Sequence, residues 1–186
     1  MNQSKRLFDF VTTRLSKFGN LPLLASKTSE GWKTQSTAEI IEIAETVGGN
    51  LLRLGLSPGQ YTAETAQKVA ILSTNRPEWI ILDLACQMAG LILCPIYPTT
   101  NPRELEFIFN DAGIACVITG DEELYEKVLG VRPHTPSVLH YFSFDQLEGA
   151  SHWTALCHPL TEEWRTKLRE TQASIDENTL ATIIYT

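Results

Sequence analysis

Val69-Ala70-Ile71-Leu72-Ser73, followed by Asn75-Arg76-Pro77 and the apolar-rich stretch Trp79–Met88, is the passage on which the fold turns. A short continuous apolar run fits a strand buried on both faces. Pro77 suits the first position of a helix, where its missing N–H is not needed. The spacing predicts that this helix runs to Gly90. Leu91-Ile92-Leu93-Cys94-Pro95-Ile96 then reads as a second buried strand, and Tyr97-Pro98-Thr99-Thr100-Asn101-Pro102 as a loop. A helix from about Arg103 to Ala112 ends at Gly113, Ile114–Thr119 is a third strand, and Asp121 caps a further helix reaching about Leu129. This alternation is a run of βαβ units. It predicts an α/β fold with a mostly parallel sheet, right-handed crossovers and flanking helices.

Toward the N-terminus, Leu7, Phe8, Val11, Leu15 and Phe18 recur at helical spacing, so Lys5–Phe18 is expected to be a helix stopped by Gly19-Asn20. Such a helix could rest on a membrane, but Asp9 and the short apolar face favour packing on the core. Leu21–Ser26 and Gly31–Thr34 read as a hairpin. Ser36-Thr37-Ala38-Glu39 is a capping-box pattern opening a helix that carries Ile40, Ile41, Ala44, Val47, Leu51 and Leu52 and ends near Gly55. Gly48-Gly49 inside it costs about 1 kcal/mol per glycine relative to alanine, which points to close packing against a neighbour. Toward the C-terminus, Val138–Phe144 is expected as a strand, Ser151–Pro159 as a loop and Thr161–Thr171 as a helix. Thr179–Tyr185 has strand composition.

The chain has 186 residues, 43% hydrophobic and 20% charged, as in an ordinary globular protein rather than a disordered one. Its net charge of -7 argues against a broad nucleic-acid-binding face, because neutralising phosphates takes clustered cations. It does not argue against a local phosphate site, which backbone N–H groups can build. No apolar run approaches the roughly 20 residues that span a bilayer, and no apolar segment follows the basic start as in a secretory signal. Cys86, Cys94, Cys116 and Cys157 form no C-x-x-C pair, and the first three sit among apolar residues. They read as reduced, packed thiols of a cytoplasmic protein.

Candidate catalytic groups are few. His134, His140, His152 and His158 show no i,i+4 pair and no H-E-x-x-H, so no metal site is expected. Cys157-His158 could be a thiolate nucleophile with its base, but no orienting acid is recognisable and a surface accident is the better reading. Asp121-Glu122-Glu123 and Glu162-Glu163 precede helical patterns, where negative charge complements the helix dipole. Asn75-Arg76-Pro77-Glu78-Trp79 reads as a strand-to-helix turn with Trp79 packing on the sheet. Tyr97 follows a strand at its carboxyl end, the side on which ligands bind in open parallel sheets.

Leu180-Ala181-Thr182-Ile183-Ile184-Tyr185-Thr186 is β-branched and apolar, and reaches the point where a ligand-binding loop would begin. Taken alone it reads as a strand closing a sheet. Ile183-Ile184-Tyr185-Thr186 is, however, similar to the start of the phosphate-loop signature of AMP-forming acyl-CoA synthetases of the adenylate-forming superfamily. Ser73–Trp79 resembles that family's N-R-P-E-W segment, and Ala89–Thr99 its A-G-x-x-x-x-P-x-Y-P-T segment. Gly31–Gly59 resembles its hairpin, capped helix and L-G-x-x-P-G turn. The resemblance covers about residues 5–186, and the long-chain fatty acyl subgroup fits best. Gln60–Gln67 departs from it, standing where relatives have a shorter connection.

The resemblance implies the N-terminal part, residues 1–186, of an AMP-binding synthetase domain of a long-chain fatty acid–CoA ligase. The family's substrates and cofactors would be a fatty acid, ATP with Mg2+, and CoA. Tyr185 and Thr186 would lie at the threshold of the phosphate loop; the plain alternative for Thr186 is a strand-end threonine. No catalytic residue is assignable, since the loop glycines and lysine of the family would lie past Thr186, and the chain alone is expected to be inactive. Peripheral membrane contact and self-association through an unpartnered last strand are further expectations. The rival readings are a non-catalytic α/β binding or interaction module derived from the same fold, and a CoA ligase for another carboxylic acid.

Overall fold

A computed structural model describes residues 6–186. Helix α1 spans Asp9–Phe18, so the expected helix start at Lys5 lies outside the described residues. Strands β1 (Pro22–Thr28) and β2 (Gly31–Ser36) form an antiparallel hairpin. Helix α2 (Thr37–Arg53) opens with the expected capping box: Ser36 accepts from the Glu39 amide, and the Glu39 carboxylate accepts from the Ser36 amide at 2.7 Å.

The main sheet follows as β3 (Lys68–Leu72), α3 (Pro77–Met88), β4 (Ile92–Ile96), α4 (Pro102–Ala112), β5 (Ile114–Thr119), α5 (Glu122–Val131), β6 (His140–Ser143), β7 (Ser151–His152) and α6 (Glu162–Ser174). Its five strands are all parallel, in the order β4-β3-β5-β6-β7. The α/β reading therefore holds, and the period-two alternation of a strand sorts the core into two layers. Val69, Ile71, Leu93, Cys116 and Ile118 point into the layer formed with α2, α3 and α6. Ala70, Leu72, Cys94, Ile96 and Val117 point into the layer formed with α4 and α5.

Gly48 shows why α2 tolerates glycine. A Cβ there would sit 2.8 Å from the Ala85 carbonyl oxygen on α3, so only a bare Cα lets the two helices approach this closely.

Helix α1 packs on the core as expected, through Phe8 just before it, which is buried, and the half-buried Val11, while Phe10 and Phe18 face outward. Two expectations need correction. Ser151–Pro159 is not a loop: Ser151–His152 pairs with β6, and Trp153–Cys157 is a 3-10 helix whose Trp153 packs edge-on against Phe144, ring centroids 5.6 Å apart. Thr179–Tyr185 is not a full strand. It makes a single parallel bridge, Thr182 to Leu93, through Leu93 N–H to Ala181 O and Ile183 N–H to Leu93 O, each 3.1 Å. The last run is thus partnered on the β4 side rather than unpartnered.

Candidate functional site

Helices on the two faces leave the sheet in opposite directions from β3 and β5, which makes the crevice between their carboxyl ends the topological switch point where such folds bind ligands. Here the protein itself fills that crevice. Arg76, just past β3, donates to the Gly120 carbonyl just past β5 at 3.1 Å and to Asp145 beyond β6 at 2.9 Å. Its Nε donates to Glu78 at 3.0 Å, and the guanidinium lies 5.0 Å from the Phe144 ring centroid. Burial works against the Arg76 charge, but Glu78 and Asp145 outweigh it and hold its pKa above the ordinary value. Burial likewise pushes Glu78 up, and the bonds from Arg76 and the backbone more than offset it, leaving Glu78 below the usual carboxylate range. Gly120 permits this closure: a Cβ there would lie 2.7 Å from Ser73 Oγ. The Asn75–Trp79 segment is the expected strand-to-helix turn, with Trp79 packed on the core layer. The long-range bonds of Arg76 escaped sequence reasoning because nothing in local spacing announces a partner at Gly120 or Asp145.

With the switch point closed, the open part of the carboxyl end lies at β4 and the terminal run. Lys127 on α5 donates to the Pro98 carbonyl at 2.7 Å, and the Thr100 amide donates to Tyr97 O at 3.0 Å, so the loop after β4 is a held turn. Asn101 then starts α4 with a second capping box, formed with Glu104. Tyr97 is exposed on this turn. On the neighbouring run, Thr182 Oγ1 donates to Leu93 O at 2.8 Å. Tyr185 lays its ring edge-on to Phe107, centroids 6.4 Å apart, and its hydroxyl donates to Asp111 at 2.6 Å. Burial, then the bond and charge of Asp111, raise the Tyr185 pKa. The phenol is therefore committed to α4, while Thr186 is exposed.

This end offers hydroxyls and backbone groups, and Tyr185 and Asp111 are taken up with each other. Among the described residues no group of three or more His, Cys, Asp or Glu side chains is placed to hold a metal. Burial pushes the Cys157 thiol up to about 11, and Sγ donates to the Trp153 carbonyl at 4.0 Å, both of which disfavour a thiolate there. His152 Nε2 lies 2.8 Å from the Phe144 carbonyl, which can only accept, so Nε2 carries a proton, and Nδ1 pairs with the Thr154 hydroxyl at 2.6 Å. A cavity of about 270 Å3 lies at the opposite, amino end of β4, where Gln87, Gly90, Asp176 and Glu177 line it.

Residues 12–186 match the family model of the AMP-binding enzymes, and the chain belongs to that family. It is 32% identical over 130 residues to a rat long-chain-fatty-acid–CoA ligase, ACSBG1, covering 68% of this chain and 17% of that protein. It is 30% identical over 154 residues to human long-chain-fatty-acid–CoA ligase 6, covering 80% of this chain and 21% of that one. The chain thus spans about a fifth of the length of these curated relatives. Among solved structures, an anthranilate CoA ligase in complex with anthranoyl-AMP superimposes with a TM-score of 0.71 at 17% identity, over 100% of this chain and 32% of that one, which shows the shared fold.

Proposed function

We propose that this chain is the N-terminal portion of an AMP-forming ligase that activates a long-chain fatty acid as its CoA thioester. The observation that carries the reading is the family match across residues 12–186, to which relatives named as long-chain-fatty-acid–CoA ligases add the substrate class. In this reaction the fatty carboxylate attacks the α-phosphorus of ATP, pyrophosphate leaves, and the CoA thiol then displaces AMP from the acyl-adenylate. Mg2+ would enter with the nucleotide as its substrate complex, and no residue described here is assigned to it.

The role of these residues is scaffolding and approach rather than proton transfer. The Arg76 cluster keeps the β3 and β5 ends together, and the bridge between Thr182 and Leu93 supports a path in which the last run rises beside β4. Tyr185 would anchor that run on α4, and Thr186 would lead into a backbone-amide cradle for the phosphates. Catalytic donors and cations would come from elsewhere in the ligase.

The test is hydroxylamine trapping of the activated acid by the polypeptide as its source cells make it. Hydroxamate should form from hexadecanoate in preference to acetate or benzoate. A preference for benzoate would overturn the substrate class, and no hydroxamate from any acid would overturn the activity.

A further inference from the structure

Arg6 reaches from the start of α1 to the end of α6. Its Nη1 donates to the carbonyls of Gln172 and Ile175, the latter at 3.3 Å, while Nε and Nη2 hold the Asp9 carboxylate at 3.0 and 2.9 Å. The guanidinium also lies 4.4 Å from the Phe8 ring centroid. Carbonyls at a helix C-terminus lack partners within the helix and carry partial negative charge. The last turn of α6 has no basic residue of its own, and Arg6 supplies one from 166 and 169 positions away. A planar fork of donors can bind a carboxylate and two carbonyls at once, which a lysine ammonium cannot do in the same geometry.

Past Ile175 the chain bends through a turn closed on itself. The Asn178 amide donates to Asp176 Oδ1 at 2.7 Å, and the Asp176 amide donates to Thr179 Oγ1 at 3.2 Å. Among the described residues, the next hydrogen bonds from this segment to the rest of the molecule are those of Ala181 and Ile183 with Leu93. Between these two holds the segment has a void under it. The cavity of about 270 Å3 has Asp176, Thr179 and Leu180 on one side and Phe8, Gln87 and Leu91 on the other. Side chains that border a void have no partner atoms there, so the segment takes its position from its two ends.

We propose that Arg6 is a positioning residue for the nucleotide: by clamping the end of α6 it sets the path of the terminal run, and so the place from which Thr186 leads into the phosphate cradle. The nucleotide part of this inference rests on the ligase reading, whereas the clamp itself does not.

Amide hydrogen exchange of the 186-residue chain, resolved by NMR, tests the clamp. Arg6→Ala should speed exchange at Ile183 on the order of 10-fold, the local worth of one charge-assisted hydrogen bond. Arg6→Lys, which keeps the charge without the fork, should recover only part of that loss. Gly48→Ala, which strains the packing of α2 on α3, should leave Ile183 as it is, because an amide held by one bridge exchanges through local opening. In pyrophosphate exchange by the polypeptide as its source cells make it, Arg6→Ala should raise KM for ATP several-fold and leave KM for hexadecanoate unchanged. Unchanged exchange at Ile183 in Arg6→Ala, equal acceleration in Gly48→Ala, or full recovery with Arg6→Lys would overturn the clamp. An unchanged KM for ATP, or an equal rise for both substrates, would overturn the positioning role. Absence of pyrophosphate exchange in the parent polypeptide would overturn the ligase reading and the nucleotide role with it, while exchange at Ile183 still decides the clamp.

Discussion

The Tyr185 hydroxyl donates to Asp111 at 2.6 Å and ties the last turn of α4 to the terminal run, which Thr182 and Leu93 hold to the sheet with one bridge. Few bonds hold this run, so each one matters locally. Tyr185→Phe should change global stability by less than about 1 kcal/mol, because the bond is exposed. It should nevertheless speed amide hydrogen exchange at Ile183, whose N–H donates to Leu93. The pH dependence has a definite sign. Burial and Asp111 raise the folded pKa of Tyr185, so its contribution is fully present below about pH 10, the unfolded value, and is lost as pH rises through the folded one. In an absorbance titration, Tyr185→Phe should remove part of the signal above the ordinary tyrosine range.

Arg76→Ala should destabilise the fold by roughly 2 kcal/mol in urea unfolding, since it leaves the partly buried Glu78 without its partner and the Gly120 carbonyl without its donor. Glu78 is held below its ordinary pKa, so its contribution is present above about pH 4.3 and fades as pH falls through the folded value. In Arg76→Ala that acid-side loss should shrink.

Two glycines in helices should respond oppositely to alanine. Gly48→Ala places a methyl 2.8 Å from the Ala85 backbone oxygen, and the overpacking of about 1–3 kcal/mol should outweigh the roughly 1 kcal/mol gain in helix propensity. Gly130→Ala on α5 meets no atom within 4 Å and should raise stability by about 0.5–1 kcal/mol. Thermal melts of the two variants check both signs.

Alkylation of Cys157 should be slow at neutral pH and should accelerate only as pH approaches about 11, because burial disfavours its thiolate. Iodoacetamide labelling followed by peptide mass analysis measures this directly.

The parallel sheet was legible in the sequence because its strands are continuous apolar runs separated by capped helices. Asn101 and Gly113 bracket α4, as Ser36 opens α2. The extent of the core contact of α1 was not legible: its apolar spacing does not say that Phe8 and Val11 go inside while Phe10 and Phe18 stay out. The short strand Ser151–His152 depends on pairing with Phe142 and Ser143, and its two residues carry no periodicity of their own. At the candidate site, Tyr185 and Thr186 were named by motif, whereas the closure of the switch point by Arg76 rests on partners 44 and 69 positions away.

The most direct measurement is fatty-acid-dependent exchange of pyrophosphate into ATP, run on the polypeptide as its source cells make it and on residues 1–186 alone. A phosphate cradle needs backbone donors and a free cation, and in residues 6–186 Arg76 is already committed to two carboxylates. The account predicts hexadecanoate-dependent exchange by the cellular polypeptide and none by residues 1–186. Exchange catalysed by residues 1–186 alone, or its absence in the cellular polypeptide, would contradict it.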